Sequence, residues 1–399
     1  MANARASALI FKKGRLAATF SKTDNGVRFE YDPEYLSSDG APVATTLPAT
    51  NEPITLGNGA TPAFFAGLLP EGPRLIAMKN RIKTSLSDEL GLLLEIGSDL
   101  IGDVQILPKG GNPSVQRERF DLPAKGADFS FTDVREKFFG SRQSGLPGVQ
   151  DKVSSKMFNA PVKMASIDYI LKLNPEAVPF AVENEHYFLG LANECGITTS
   201  KFELLTDSHG QKALLLKRFD RVVGQETKTR LAAEDACQAL NKYPSEKYNV
   251  EFLDVAEVLI SLCPAKAVAG LKLFRQLVFN WLIGNGDARA KNFSILENPE
   301  GEWMISPAYD LICTAFYDDK TMALPIDGLE INWSRKLLIE AAAKMSVPQK
   351  AAHKVIDGQL KVLVDLPQNI TDGALPFARH ENYDIARFLK QRAKRLAAI

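Results

Sequence analysis

Apolar residues along this chain follow two successive rhythms. From residue 8 to about 60 they come in short alternating runs, such as Ala8-Leu9-Ile10-Phe11 and Leu16-Ala17-Ala18-Thr19-Phe20, the spacing of half-buried strands. Asp24-Asn25-Gly26 separates Phe20 from Val27-Arg28-Phe29 and reads as a hairpin turn, so the opening segment predicts a small sheet. Helical spacing follows over 62–69 and 87–97, with Ser85 or Ser87 placed to cap the second helix and Gly97 to end it. Residues 107–127 gather Pro, Gly and charge into a boundary loop. Beyond it lie a strand at 168–173 and a helix from about 182 to 194. That helix has Tyr187, Phe188, Leu191 and Ala192 on one face and Gly196 at its end. A strand pair at 201–205 and 212–219 turns at Ser208-His209-Gly210. The remainder is mostly helical: Phe274, Leu277, Val278, Trp281 and Leu282 step along one face of 271–283, and further helices fall near 334–345, 347–364 and 382–398.

The length, 399 residues, favours two or three cores over one. The pattern divides into 1–125, 126–220 and a helical 221–399. Lys plus Arg and Asp plus Glu are both 48, which leaves no electrostatic footprint for autonomous nucleic-acid binding; contact with DNA requires a local patch or a partner. No window approaches the roughly 18 apolar residues of a membrane span, and MANARASALIFKKGRLAATF lacks the apolar core of a secretory signal. Cys195, Cys237, Cys263 and Cys313 show no metal-type spacing and read as reduced thiols of a cytoplasmic protein. The four histidines are scattered, which disfavours a His-centred site.

The candidate chemistry lies where the 271–283 helix ends. Gly284-Asn285-Gly286-Asp287 is followed by Arg289, Lys291 and Asn292, then by two short apolar runs flanking Asn298-Pro299-Glu300-Gly301, then by Tyr309-Asp310. A lone Asp in such a loop is an ordinary turn former. The ordered set of helix, Gly loop, Asp, Asn, hairpin and Asp matches what phosphoryl transfer requires: an acceptor near the hydroxyl proton and hard oxygen ligands for magnesium. Asp287 is placed to be that acceptor, with Asn292 and Asp310 as ligands. Lys172 shares a strand face with Ile170 and is placed to reach phosphates, against the alternative of an edge lysine reaching solvent. Gly145 and Gly148, with Lys152, allow Leu146–Lys152 to cover a nucleotide, although on spacing alone a plain surface turn fits better. Lys217, Arg218 and Phe219 end a hydrophobic strand at a position suited either to an adenine edge or to an Arg–Asp network at a domain joint.

These segments resemble the HipA family of serine/threonine-kinase toxins. The resemblance rests on LPGVQDK (146–152), YILKL (169–173), ENEHYFLGLANECGI (183–197), LLLKRFDR (214–221), AAEDACQAL (232–240), IGNGDARAKNFSIL (283–296) and SPAYDL (306–311), with FFAGLLPEGP (64–73) in the amino-terminal part. It implies an α+β, two-lobed protein-kinase-like fold with a β-rich N-terminal subdomain and a mainly helical C-terminal lobe. It also implies ATP and Mg2+ as cofactors and Asp287 as the catalytic base, with Asn292 and Asp310 as metal ligands. Nucleotide contacts are implied for Pro147, Gly148, Val149, Gln150, Asp151, Lys152, Lys172, Lys217, Arg218, Phe219, Arg289, Lys291, Asn292, Tyr309 and Asp310. The implied substrate is a protein of the aminoacyl-tRNA synthetase kind. The implied partner is a HipB-like helix-turn-helix antitoxin, through which alone DNA is reached; no membrane is involved.

Two departures stand out. Arg289 occupies a position where the family usually has His, and Arg keeps a donor but does not titrate. Gly145 occupies the place of an autophosphorylated serine, with Ser144 out of register. Activity is expected to survive the first change; inhibition by autophosphorylation is not expected after the second. The competing readings are a kinase of a small molecule or lipid, and a non-catalytic corepressor bound to its antitoxin.

Overall fold

The computed structural model describes residues 7–24, 26–114, 120–123, 129–139, 156–164, 166–223 and 228–398. The first sheet is antiparallel, in the order β4-β3-β2-β1-β5, with β1 Ser7–Lys12, β2 Arg15–Thr23, β3 Gly26–Tyr31, β4 Ile54–Gly57 and β5 Val104–Pro108. Strand alternation sends Ala8, Ile10, Ala18, Phe20 and Phe29 inward. There they form one core with Phe64 and Phe65 and the Glu89–Ile96 helix. The second sheet runs β6-β7-β8-β10-β9: β6 Phe120–Asp121, β7 Phe158–Met164, β8 Ile167–Leu173, β9 Phe202–Thr206 and β10 Lys212–Lys217. Its β6–β7 pair is parallel and the others antiparallel. Leu171, Leu173, Ala213 and Leu215 face a small core with the Phe131–Phe139 helix. The opposite face, with Ile170, Leu214 and Leu216, meets the large helical core.

That third core is centred on the Lys266–Ile283 helix, which buries Leu273, Phe274, Leu277, Val278, Trp281 and Leu282. Around it pack the helices Phe252–Leu262, Arg335–Lys344, Gln349–Val362 and Arg379–Ala397. Among the described residues no helix is long and apolar enough to cross a membrane.

Several local expectations are corrected. The helix after residue 85 begins at Glu89 and is capped by Asp88, whose carboxylate accepts the Gly91 N–H, not by Ser85 or Ser87. Gly97 does end that helix as expected, and it opens a 3-10 turn in which a Cβ would sit 1.8 Å from Ile106 O. A helix at Gly72–Ile82, unannounced by the apolar pattern because only Met78 is buried, follows Ala63–Leu68. Strand β6 lies inside the stretch expected to be pure loop, and Arg218 and Phe219 lie just past the end of β10. The buried face of the Ala181–Glu194 helix is Ala181, Glu185, Phe188 and Ala192, so Tyr187 and Leu191 stand at its edge.

Candidate active site

The long helix ends at Gly284, whose φ of 71° lets its N–H close back on Trp281 O while Asn285 N reaches Asn280 O. Gly286 is needed for close approach: a Cβ there would lie 2.4 Å from Thr321 O. Between them Asn285 ties the loop together. Its amide nitrogen donates to Asp310 O at 3.1 Å, and its amide oxygen accepts from Asp287 N at 3.2 Å. The chain then runs into β11 (Ser294–Glu297) and turns back as β12 (Trp303–Ile305), Ile295 pairing with Ile305 and Glu297 with Trp303. This hairpin returns Asp310 to Asn292, whose Nδ2 donates to Asp310 Oδ2 at 2.7 Å. Asp310 itself has φ 54°, a sparsely populated conformation that is tolerated more readily by Asp than by most residues.

Lys172 projects from β8 between two carboxylates. Its ammonium donates to both oxygens of Glu185, at 2.7 and 2.8 Å, and is in ion contact with Asp310. Only 4% of Lys172 is exposed. Burial alone would lower its pKa, but Asp310 and Glu185 outweigh that and hold it above the ordinary lysine value. Burial also pushes Asp310 up, yet Lys172, then Arg289 and Asn292, bring its carboxyl below the usual range. For Glu185 burial prevails, aided by the Asp310 charge, and its pKa rises to about 7. One ammonium shared by two carboxylates thus leaves Asp310 the firmly ionised member.

Asp287 is buried, and it is not among the described residues lining the adjacent cavity. Tyr248 OH donates to its Oδ1 at 3.1 Å and Arg289 Nη1 at 3.2 Å. Arg289 does line the cavity, and its Nη2 donates to Glu71 Oε2 at 2.9 Å; Lys247 Nζ donates to the same oxygen at 2.8 Å. Burial would raise Glu71, but Arg289, Lys291 and Lys247 together lower it. Lys291 pairs with Asp235 at 2.5 Å and donates to Gly67 O at 3.0 Å. The Tyr309 hydroxyl donates to Lys291 O at 2.7 Å, and its ring lies 6.0 Å from that of Phe219.

The cavity these groups border holds about 310 Å3, within the range of small-molecule sites. Its lining combines apolar Leu100, Ile170, Leu216 and Phe219 with the polar groups Lys172, Arg289, Lys291, Asn292 and Asp310. Lys217, Arg218 and Phe219 run along its edge. The Arg218 guanidinium serves the joint between sheets: it pairs with Asp220 at 2.7 Å and Asp99 at 2.9 Å and donates to Leu100 O. Pro147, Gly148, Val149, Gln150, Asp151 and Lys152, with Ser144 and Gly145, lie outside the described residues.

Sequence reasoning passed over Glu185, Glu71, Asp235 and Tyr248. Glu185 had a signal: it interrupts the apolar stripe of its helix, four residues after Ala181 and three before Phe188. The other three are single polar residues joined to the loop only by tertiary contact, and no local pattern announces them.

The cavity lined by both apolar and charged groups, the buried Lys–Glu–Asp trio and the Asp-Asn-hairpin-Asp loop define a kinase-like protein. Comparison with known proteins specifies it further. Residues 8–107 match the model of the HipA N-terminal domain and residues 144–366 that of the HipA-like C-terminal domain. A Sinorhizobium fredii protein named only as a candidate kinase, Y4mE, is 30% identical over 326 residues, 77% of each chain. The serine/threonine-protein kinase toxin HipA of Shewanella oneidensis is 26% identical over 385 residues, 89% of this chain and 86% of that one. The structure of the Shewanella oneidensis HipA, HipB and operator DNA complex superposes with a TM-score of 0.74 at 21% identity, covering 97% and 96% of the two chains. This chain belongs to the HipA family.

Proposed function

We propose that this protein transfers the γ-phosphate of ATP to serine or threonine hydroxyls of a protein, and acts as a HipA-type toxin held in check by a HipB-like antitoxin. The observation that carries the reading is the meeting of Lys172, Asn292 and Asp310 on one wall of the cavity, with Arg289 bridging that wall to Asp287.

In this reading the apolar lining receives adenine beside Lys217 to Phe219, and Lys172, Arg289, Lys291 and Tyr309 face the phosphates. The donor set suits magnesium: a carboxylate that stays ionised and a carboxamide oxygen, both hard ligands. Asn292 Oδ1 accepts the Arg289 N–H at 3.2 Å, and an amide oxygen has a second lone pair for a cation. Magnesium held by Asp310 and Asn292 would supply neutralisation of the phosphate charge during transfer. Glu185 would keep Lys172 extended while Asp310 holds the metal, and Asp287 would accept the proton of the incoming hydroxyl. The acceptor is a component of translation such as an aminoacyl-tRNA synthetase. The Shewanella complex with HipB and operator DNA supports a repressor partner, and equal numbers of acidic and basic residues favour reaching DNA through that partner.

The test is phosphoproteomics of a bacterial lysate given ATP and Mg2+ with wild type or Asp287→Asn. New phosphoserine or phosphothreonine on a discrete protein, lost in the variant, is expected. Equal transfer by the folded variant, or label appearing on metabolites alone, overturns the reading.

A further inference from the structure

The N-terminal sheet module reaches the catalytic loop through one continuous segment, residues 61–71. Tyr243 OH donates to Thr61 O at 2.8 Å, Gln238 Nε2 to Phe64 O at 2.8 Å, and Lys291 Nζ to Gly67 O at 3.0 Å. The segment ends at Glu71, which takes Arg289 and Lys247 on a single oxygen. Backbone oxygens make the first three contacts, so they anchor the segment without depending on its side chains. Glu71 differs: it is a charge delivered to the residue that touches Asp287, from 218 positions earlier in the chain.

We propose that Glu71 is a positioning residue for phosphoryl transfer, which makes the N-terminal module part of the active site; this rests on Asp287 being the acceptor of the hydroxyl proton. The argument is geometric. A guanidinium is a planar fork, so fixing Nη2 on Glu71 fixes where Nη1 meets Asp287. Arg289 is held to a 3.2 Å contact with Asp287 Oδ1, shared with Tyr248 OH. Released from Glu71, the fork can turn its second nitrogen onto Asp287 and close the two-point pair that Arg and carboxylates favour. A carboxylate gripped in that way is a poorer acceptor for a substrate proton. Glu71 also balances Lys247 and Arg289, two cations brought to one oxygen, which would otherwise repel each other beside the loop.

The experiment measures ATP-dependent transfer by the full chain to the lysate protein that wild type labels most strongly, with kcat and the KM for ATP determined separately. Losing one hydrogen bond between charged groups predicts that Glu71→Gln lowers kcat about 10- to 100-fold while the KM for ATP stays within about threefold. Glu71→Asp, which keeps the charge, is expected to recover most of that loss. Arg289→Gln with Glu71→Gln should lose no more than Arg289→Gln alone, and thermal melts of the ligand-free variants should show the same non-additivity. Unchanged kcat in Glu71→Gln, a KM rise in place of a kcat fall, or additive losses in the double variant overturns the proposal. If Glu71→Gln does not fold, the kcat and KM of Glu71→Ala, which also removes the charge, decide by the same criteria. Asp287→Asn separates the two levels: full activity there defeats the acceptor assignment itself, whereas an inactive Asp287→Asn beside a fully active Glu71→Gln defeats only the role of Glu71.

Discussion

The two ionic clusters beside the cavity are built from the same materials but held differently. Around Lys172, all the members come from the two kinase-like lobes, and the cation touches both carboxylates directly. Around Asp287, the cation is an arginine whose other branch is anchored outside those lobes, on Glu71 of the N-terminal module. A compact lysine shared by two acids can yield one of them to an incoming cation. A forked arginine tied at both ends keeps a geometry. Under the proposed function, the first cluster suits ligands that come and go, the second an acceptor that must stay aimed.

Substitutions that treat the clusters separately test this contrast. The largest effect is expected for Asp310→Asn and Asp287→Asn, each lowering transfer by roughly 10^3-fold or more, since both remove charge from the phosphoryl-transfer centre. Calorimetry should separate them: Asp310→Asn loses the magnesium dependence of ATP binding, whereas Asp287→Asn keeps it. Equal magnesium dependence in both would erase the distinction between the clusters.

A smaller effect is expected at the joint. Arg218→Ala removes a buried cation shared by Asp220 and Asp99 and should cost about 3 kcal/mol in denaturant unfolding. Because that guanidinium is committed to the joint, the Kd for ATP should shift less than about threefold, under 1 kcal/mol. A large affinity loss without a stability loss would return Arg218 to the nucleotide.

The smallest effect concerns Glu234, which accepts from Thr45 N at 2.8 Å and Thr45 Oγ1 at 2.6 Å across the same joint. Burial raises its pKa above the ordinary 4.5 despite those bonds. A raised carboxyl contributes stability below its unfolded value and loses it as pH climbs through the folded value. The Tm of Glu234→Gln relative to wild type should therefore become more favourable as pH rises from 4.5 towards 7. A flat difference would show that Glu234 titrates normally.

How much of this was legible beforehand follows from where each contact closes. The Asp287–Asn292–Asp310 series was readable because a helix stop, a glycine loop and a turn act within some 25 consecutive residues. Lys172 was readable because strand alternation separates it from Leu171 and Leu173, which enter a different core. The partners of those residues were not. Glu71 meets Arg289, Tyr248 meets Asp287 and Asp235 meets Lys291 across 218, 39 and 56 positions, and such pairs have no periodicity to betray them. Arg218 shows a third case: both alternatives posed from sequence involve the same residue, and its guanidinium is engaged in the joint while the residue also borders the cavity.

One buttress of the loop arrives late in synthesis. Arg392, in the Arg379–Ala397 helix, stacks 4.1 Å from the Trp281 ring and donates to Trp281 O, at the end of the helix that leads into Gly284. Its other branch donates to Lys320 O, in the segment that covers Gly286. A ribosome must therefore translate about a hundred codons beyond Asp287 before the loop acquires this support, and until then Asp287 depends on the nearer bonds from Tyr248 and Arg289.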